Sequence, residues 1–203
     1  MFKKAIIFIL LLLPWFLVSI IPVDYNYYSM IKLPFFAPPK IFYGIAWTIV
    51  YTLITITTSS IINSYKFKDI PLSYKITLLV NYLFNQSYTL VFFGLKSNFL
   101  GFCSCLGTFI SCLFLYLETG NLNKKSTKFL IPYVLLSLFA TILSLTIYVM
   151  NLYWGRSITV NLSSFKWLYS SIIFITLLYS SSNSLKWLST KLASFSLLFN
   201  SCS

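Results

Sequence analysis

The side chains whose type and spacing could do chemistry here are aromatic and amide rather than acidic or basic. Tyr43, Trp47, Tyr51 and Ile54 recur at i, i+4, i+8 and i+11, which is one face of an α-helix. Asn81, Asn85, Tyr88 and Phe92 do the same at i, i+4, i+7 and i+11. A third face carries Tyr133, Leu136, Ala140, Ser144 and Ile147, with Ala140 and Ser144 small enough to leave room beside them. Such groups stack on an apolar ligand and hydrogen-bond to it. The chain has no histidine, so the commonest metal ligand and neutral-pH proton carrier is missing. Its three acids, Asp24, Asp69 and Glu118, fall in loops or at the ends of apolar runs. A proton- or ion-coupled pathway needs carboxylates within the membrane, and none is expected there. No glycine-rich phosphate loop or nucleophile elbow occurs. The same faces would also serve ordinary bundle packing, with aromatics filling gaps and Asn bonding across helices. Periodicity alone leaves both readings open.

The elements that carry these faces follow from composition. The 203 residues are 58% hydrophobic and 9% charged, with a mean hydropathy of +0.83. An ordinary soluble domain is roughly 25% charged. A soluble fold of this size has too little interior for so much apolar surface, so the bilayer must act as solvent. Uncharged runs at 5–23, 41–65, 76–95, 97–117, 129–155 and 167–185 match the length of about 20 residues that a membrane helix needs. None alternates as a barrel strand would. The expected fold is an all-α integral membrane protein, a bundle of five transmembrane helices at about 5–22, 39–63, 76–95, 99–117 and 129–153. Residues 154–203 form a C-terminal extension, whose run 167–185 would be a sixth membrane helix or an interfacial one. The first run follows a basic "MFKK" but is long, contains Trp15 and lacks a small-residue cleavage site, so it reads as an uncleaved helix kinked at Pro14.

Net charge is +12, from fifteen Lys and Arg scattered between the runs without a basic stripe. That favours lipid head-group contact and topology signalling over nucleic acid. Ten of these cations fall on the side of Lys3 and Lys4 and five on the other, if the sixth run crosses, which places the N-terminus in the cytoplasm. Cys103, Cys105 and Cys112 share the fourth run at helical spacing with Gly101, Ser104, Thr108 and Ser111, and Cys202 lies near the end. They read as small packing residues, not as a metal or redox site.

Residues 36–40, "FAPPK", stiffen the entry to the second helix. Pro39 suits a first helical turn and Pro38 keeps its predecessor extended. "LPFFAPPKIFYGIAWTIVY" resembles the first-loop and second-helix signature of the TspO/MBR family, through Pro34, Pro38, Pro39, Trp47 and Tyr51. "NQSYTLVFFGLK" is similar to the family's third-helix end, and "LIPYVLLSLFATIL" to its fifth-helix motif. The order and spacing of all three agree over about residues 1–153. The resemblance implies a five-helix bundle, often a homodimer, with a ligand cavity roofed by the first loop. It implies no required cofactor; porphyrins such as protoporphyrin IX are the ligands, with sterol-like molecules as further possibilities. The matching pocket positions are Trp47, Tyr51, Asn85, Tyr88, Ala140 and Leu143, under a lid that includes Pro34, Phe36, Pro38 and Pro39. Gln86 and Tyr88 stand where the family has tryptophans, Leu136 replaces a pocket tryptophan, and Ser144 and Ser104 replace an Asn and an Asp. With Trp47 alone left of a tryptophan pair, tetrapyrrole binding in sensing or transport is expected over light- and oxygen-dependent porphyrin degradation. A structural protein with a vestigial pocket is the third alternative. The default location is a bacterial inner membrane, with bacterial or mitochondrial outer membranes open on family grounds.

Overall fold

A computed structural model describes residues 2–152, and every regular element among them is helical. The first rod is α1 (Phe2–Leu12), continued by 3-10 turns at Leu13–Ile20. A short helix, α2 (Tyr25–Met30), precedes the second rod, α3 (Lys40–Ser64). The third rod is α4 (Leu72–Thr89), which widens into a π-helical turn at Leu90–Gly94. The fourth is α5 (Asn98–Leu122); a small turn of helix, α6 (Lys124–Thr127), and 3-10 turns at Lys128–Leu130 lead into the fifth, α7 (Ile131–Asn151). The segment between the expected helices at 5–22 and 39–63, the first loop of the sequence reading, therefore contains a helix. Pro39 stands just outside α3 as its N-cap, in extended conformation, and its carbonyl accepts from the N–H of Phe42 at 2.9 Å.

Among the described residues, four segments are long and apolar enough to cross a membrane: Lys3–Ile20, Lys40–Ser64, Asn98–Leu122 and Lys124–Asn151. The rod begun by α4 carries Lys75, Asn81, Asn85 and Gln86 and is less apolar than these. Its polar atoms are turned to neighbours, as described below. The run 167–185, Cys202, and the extension as a whole lie outside the described residues.

The rods pack in the cyclic order α1, α3, α7, α5, α4, with the 3-10 end of the first rod closing against α4. Pro14 explains that closure. Proline cannot donate a backbone hydrogen bond, and the helix tightens from Leu13 onward. At this tightened stretch the carbonyls of Pro14 and Trp15 accept from the Tyr82 hydroxyl at 3.1 Å and from Gln86 Nε2 at 3.2 Å. Trp15 is turned inward, 5% exposed, and stacks on Tyr51 with ring centroids 5.3 Å apart.

Between α4 and α5, small residues allow close approach, as in many membrane helix pairs. Ser104 Oγ donates to the carbonyl of Phe84 at 2.7 Å, and the rings of Phe84 and Phe92 lie over Gly107 and Gly101. A buried chain of hydrogen bonds crosses the bundle. The Tyr51 hydroxyl donates to Asn85 Oδ1 at 2.7 Å, and Asn85 Nδ2 reaches the Tyr133 hydroxyl at 3.5 Å. Tyr133 in turn donates to Asn81 Oδ1 at 2.8 Å. Asn81 Nδ2 donates to Ser111 Oγ at 3.0 Å and to the carbonyl of Thr108 at 3.1 Å. Glu118 is buried one turn from the end of α5, where Ser73 Oγ donates to it at 3.0 Å.

Candidate functional site

Beside this chain, all five rods and α2 surround a cavity of about 380 Å³. Ligand pockets run from roughly 300 to 1,000 Å³. One wall is the α3 stripe Lys40, Tyr43, Gly44, Trp47, Thr48 and Tyr51. Asn85, Tyr88, Thr89 and Phe93 come from the third rod. Small groups of α5 and α7, Cys105, Thr108, Ser137 and Ala140, make the back, with Leu143 and Ile147 toward the lid. Phe16, Val18 and Ser19 of the first rod and Val23, Tyr25 and Tyr28 around α2 complete it. The six pocket positions read from sequence, Trp47, Tyr51, Asn85, Tyr88, Ala140 and Leu143, thus share one space.

Each wall residue is held by something else. Trp47 is half-buried and packs at an angle on Tyr51 and edge-on to Tyr133, with centroids 5.7 and 6.3 Å away. Tyr88 stacks on the buried Phe92 at 5.2 Å. Asn85 spends its oxygen on Tyr51 and one N–H on Tyr133. An amide nitrogen carries two hydrogens, so one remains for a ligand. Leu136, at the position of a pocket tryptophan, packs into the core cluster around Tyr51 and Tyr133 and does not line the cavity.

The expected lid residues hold the roof without lining the cavity. Pro34 is buried and its carbonyl accepts from the N–H of Ala37 at 3.0 Å, a turn that presses Phe36 toward Phe139 at 6.4 Å. Pro38 and Pro39 make the joint to α3. The roof residues that face the cavity are Tyr25 and Tyr28 of α2, a helix the sequence reading did not foresee, with Val23 just before it. Asp24 caps that helix by accepting from the N–H of Tyr27 at 2.9 Å. Asp after an apolar run is an N-cap signal that could have revealed it.

Two ties hold the roof down. At one end Asp24 pairs with Lys96 Nζ at 3.0 Å, and the Tyr27 hydroxyl contacts the Lys96 carbonyl at 3.0 Å and Asn98 Oδ1 at 2.8 Å. Lys96 has a left-handed backbone, φ 51°, which costs a non-glycine residue about 1 kcal/mol. It follows the π turn and offers both its carbonyl and its ammonium to the lid. At the other end Asn151 accepts from the N–H of Lys32 at 2.9 Å and donates to its carbonyl at 3.0 Å. Burial pushes the Tyr27 phenol up to about 12, so it remains a donor at any physiological pH.

The Asp24 carboxyl lies below its ordinary value of 3.8, first because the Tyr27 N–H bonds it and then because Lys96 sits beside it. A lowered carboxyl stabilises the tie above the ordinary value, and the effect is lost as pH falls through the lowered one. The protection of the amides across 24–30, relative to their intrinsic exchange at each pH, is therefore expected to stay constant from neutral down to about pH 4. The lid should open only in stronger acid. Asp24→Asn keeps a capping side chain but loses the ion pair, and should show faster lid opening at neutral pH. Equal opening in the two proteins would show that the ion pair does not hold the lid.

The family model for TspO/MBR matches residues 5–150. The chain belongs to the TspO/MBR family. Among its relatives, the tryptophan-rich protein TspO of Bacillus cereus is 38% identical over 151 residues, covering 73% of this chain and 97% of that protein. An uncharacterized membrane protein, YtaB, of Bacillus subtilis is 34% identical over 131 residues, or 64% of this chain and 84% of its own length. A tryptophan-rich protein TspO of Archaeoglobus fulgidus is 28% identical over 126 residues, covering 62% and 80%. The TspO/MBR match coincides with the helical body and leaves the extension aside. Membership together with the four apolar spans makes this an integral membrane protein of the helical-bundle class. A receptor- or transporter-like role is consistent with that placement. In this TspO/MBR chain the position of Gln86 is structural, since its amide bonds the kinked first rod.

Proposed function

We propose that this protein binds tetrapyrroles, with protoporphyrin IX as the reference ligand, in the cavity under α2, and that it acts in their sensing or movement. The observation that carries this reading is the cavity wall. Trp47, Tyr51 and Tyr88 give aromatic faces, the spare N–H of Asn85 gives an edge donor, and small residues on α5 and α7 leave depth behind them. A flat conjugated ring system suits such walls, because stacking on offset aromatics is favourable and a few polar groups fix orientation. The family relationship supports the same class of ligand.

Titration of the purified full chain with protoporphyrin IX, followed by tryptophan fluorescence, is the direct test. Saturable quenching is expected. Trp47→Phe should weaken the affinity about 2- to 10-fold, the range of one aromatic contact. Trp15 lies behind Tyr51, so part of the quenching should survive the substitution. Absence of any saturable signal would instead favour a scaffold with a vestigial pocket.

A further inference from the structure

Among the cavity-lining residues of α3, Lys40 stands apart. It is the first residue of the helix, it is exposed, and among the described residues it is the only cation that lines the space. Its ammonium lies 4.9 Å from the Tyr25 ring and 5.2 Å from the Tyr28 ring, on the lid face of the cavity. Both distances are within cation–π range. Those two phenols, at i and i+3 of α2, line the cavity too, so the charge is held at the join of roof and wall.

What this charge lacks is an anion. The whole sequence has three acidic side chains. Asp24 is paired with Lys96, Asp69 lies in the turn between α3 and α4, and Glu118 is near the far end of α5 beside Ser73. Lys40 opens α3 and Asp69 follows its other end, so the length of this 25-residue helix separates them. None of these three acidic side chains is left for Lys40. A cation next to apolar walls attracts an opposite charge more strongly than it would in bulk water, because the local dielectric is lower.

We infer that Lys40 receives the carboxylate of an otherwise apolar ligand, with the hydroxyls of Tyr25 and Tyr28 available as further donors to the same group. The inference rests on the cavity being the ligand site, and it narrows the ligand class to anionic amphiphiles: a flat or extended apolar body whose acid end stays at the mouth. A tetrapyrrole bearing propionates fits this description, with its ring on Trp47 and its acid at Lys40. A neutral sterol-like body does not use the charge.

Matched acid and ester probes test it on the full chain in detergent or in vesicles of zwitterionic lipid. One pair is protoporphyrin IX and its dimethyl ester; the other is a fluorescent long-chain fatty acid and its methyl ester. In the native protein the acid of a pair should bind about tenfold tighter than the ester, the size of one charge-assisted hydrogen bond. Lys40→Gln should bring that ratio close to unity by weakening the acid and sparing the ester, and Lys40→Arg should retain it. Lys68→Gln, in the turn beyond the far end of α3, should leave it unchanged. An acid-to-ester ratio in Lys40→Gln equal to that of the native protein overturns the inference, leaving Lys40 to lipid head groups while tetrapyrrole binding stands. If only the fatty-acid pair binds, with the Lys40-dependent ratio, the carboxylate inference stands and the tetrapyrrole reading falls. If no probe binds saturably, both fall.

Discussion

Gly44→Phe is expected to abolish measurable ligand binding, or weaken it at least ~10-fold (about 1.4 kcal/mol), without destabilising the protein. Gly44 sits in the middle of the α3 wall, one turn from both Lys40 and Trp47, and lines the cavity. A Cβ built there meets nothing within 4 Å. The first carbon of a side chain therefore meets no obstacle there, and a ring carried on it is expected to take up cavity volume. Replacing a mid-helix glycine also improves helix propensity by a few tenths of a kcal/mol. A reduced affinity with an unchanged or higher unfolding midpoint would separate occlusion from misfolding. Unaltered affinity for protoporphyrin IX would show that the ligand does not use this space at all. The contrast with Trp47→Phe is informative, because one substitution removes a contact and the other removes volume.

Gly107→Ala should act in the opposite way, on stability and not on the wall. Its added Cβ would lie 2.4, 2.6 and 2.8 Å from three ring carbons of Phe84, Cδ1, Cε1 and Cγ. Carbon atoms prefer about 3.5–4.0 Å. The ring is attached at the involved Cγ, so it cannot escape by swinging its far edge. Nor can α5 back away freely, since Ser104 Oγ is bonded to the carbonyl of Phe84 at 2.7 Å and lies 2.7 Å from Ser87 Oγ. A loss of about 1–3 kcal/mol is expected for such overpacking. It should be read as a lower midpoint in detergent denaturation. Combining Gly107→Ala with Phe84→Leu should recover part of the loss, with a coupling above ~0.5 kcal/mol in a double-mutant cycle. A neutral Gly107→Ala would mean that the close approach of α4 and α5 is not a constraint.

Much of the site could be read from local spacing, and its limits are equally physical. Helical period placed Tyr43, Trp47 and Tyr51 on one face, and the structure puts all three on the cavity wall. The same period included Ile54, which is fully buried in the core one turn further on. A stripe gives direction around a helix, but it does not tell where along the helix a cavity ends. The two helical asparagines could serve a cavity or a neighbouring helix, and they do both: Asn81 is spent inside the bundle, while Asn85 stands at the border. Lys40 and Gly44 lie on the same stripe as Trp47, so their signal was present. Lys40 falls in the stiff entry, where proline chemistry dominates the pattern, and Gly44 has no side chain to mark a face. The ties of the lid had no local signal. Tyr27 reaches Asn98 across 71 residues and Lys32 reaches Asn151 across 119. Those pairings exist only once the rods are assembled.

The hydrogen-bonded chain from Tyr51 through Asn85, Tyr133 and Asn81 to Ser111 has one more consequence. Lipid tails reward apolar contact almost equally wherever it occurs, so greasy surfaces alone let one rod slide past another at little penalty. Here α3, α4, α5 and α7 each contribute to a single linked sequence of donors and acceptors. Sliding any one of them by a turn, about 5.4 Å, would break the sequence at that rod and strand polar atoms in hydrocarbon. The chain therefore works as an axial ruler, setting the height at which indole, amide and phenol meet, and any hinge motion of the protein must leave that level unmoved.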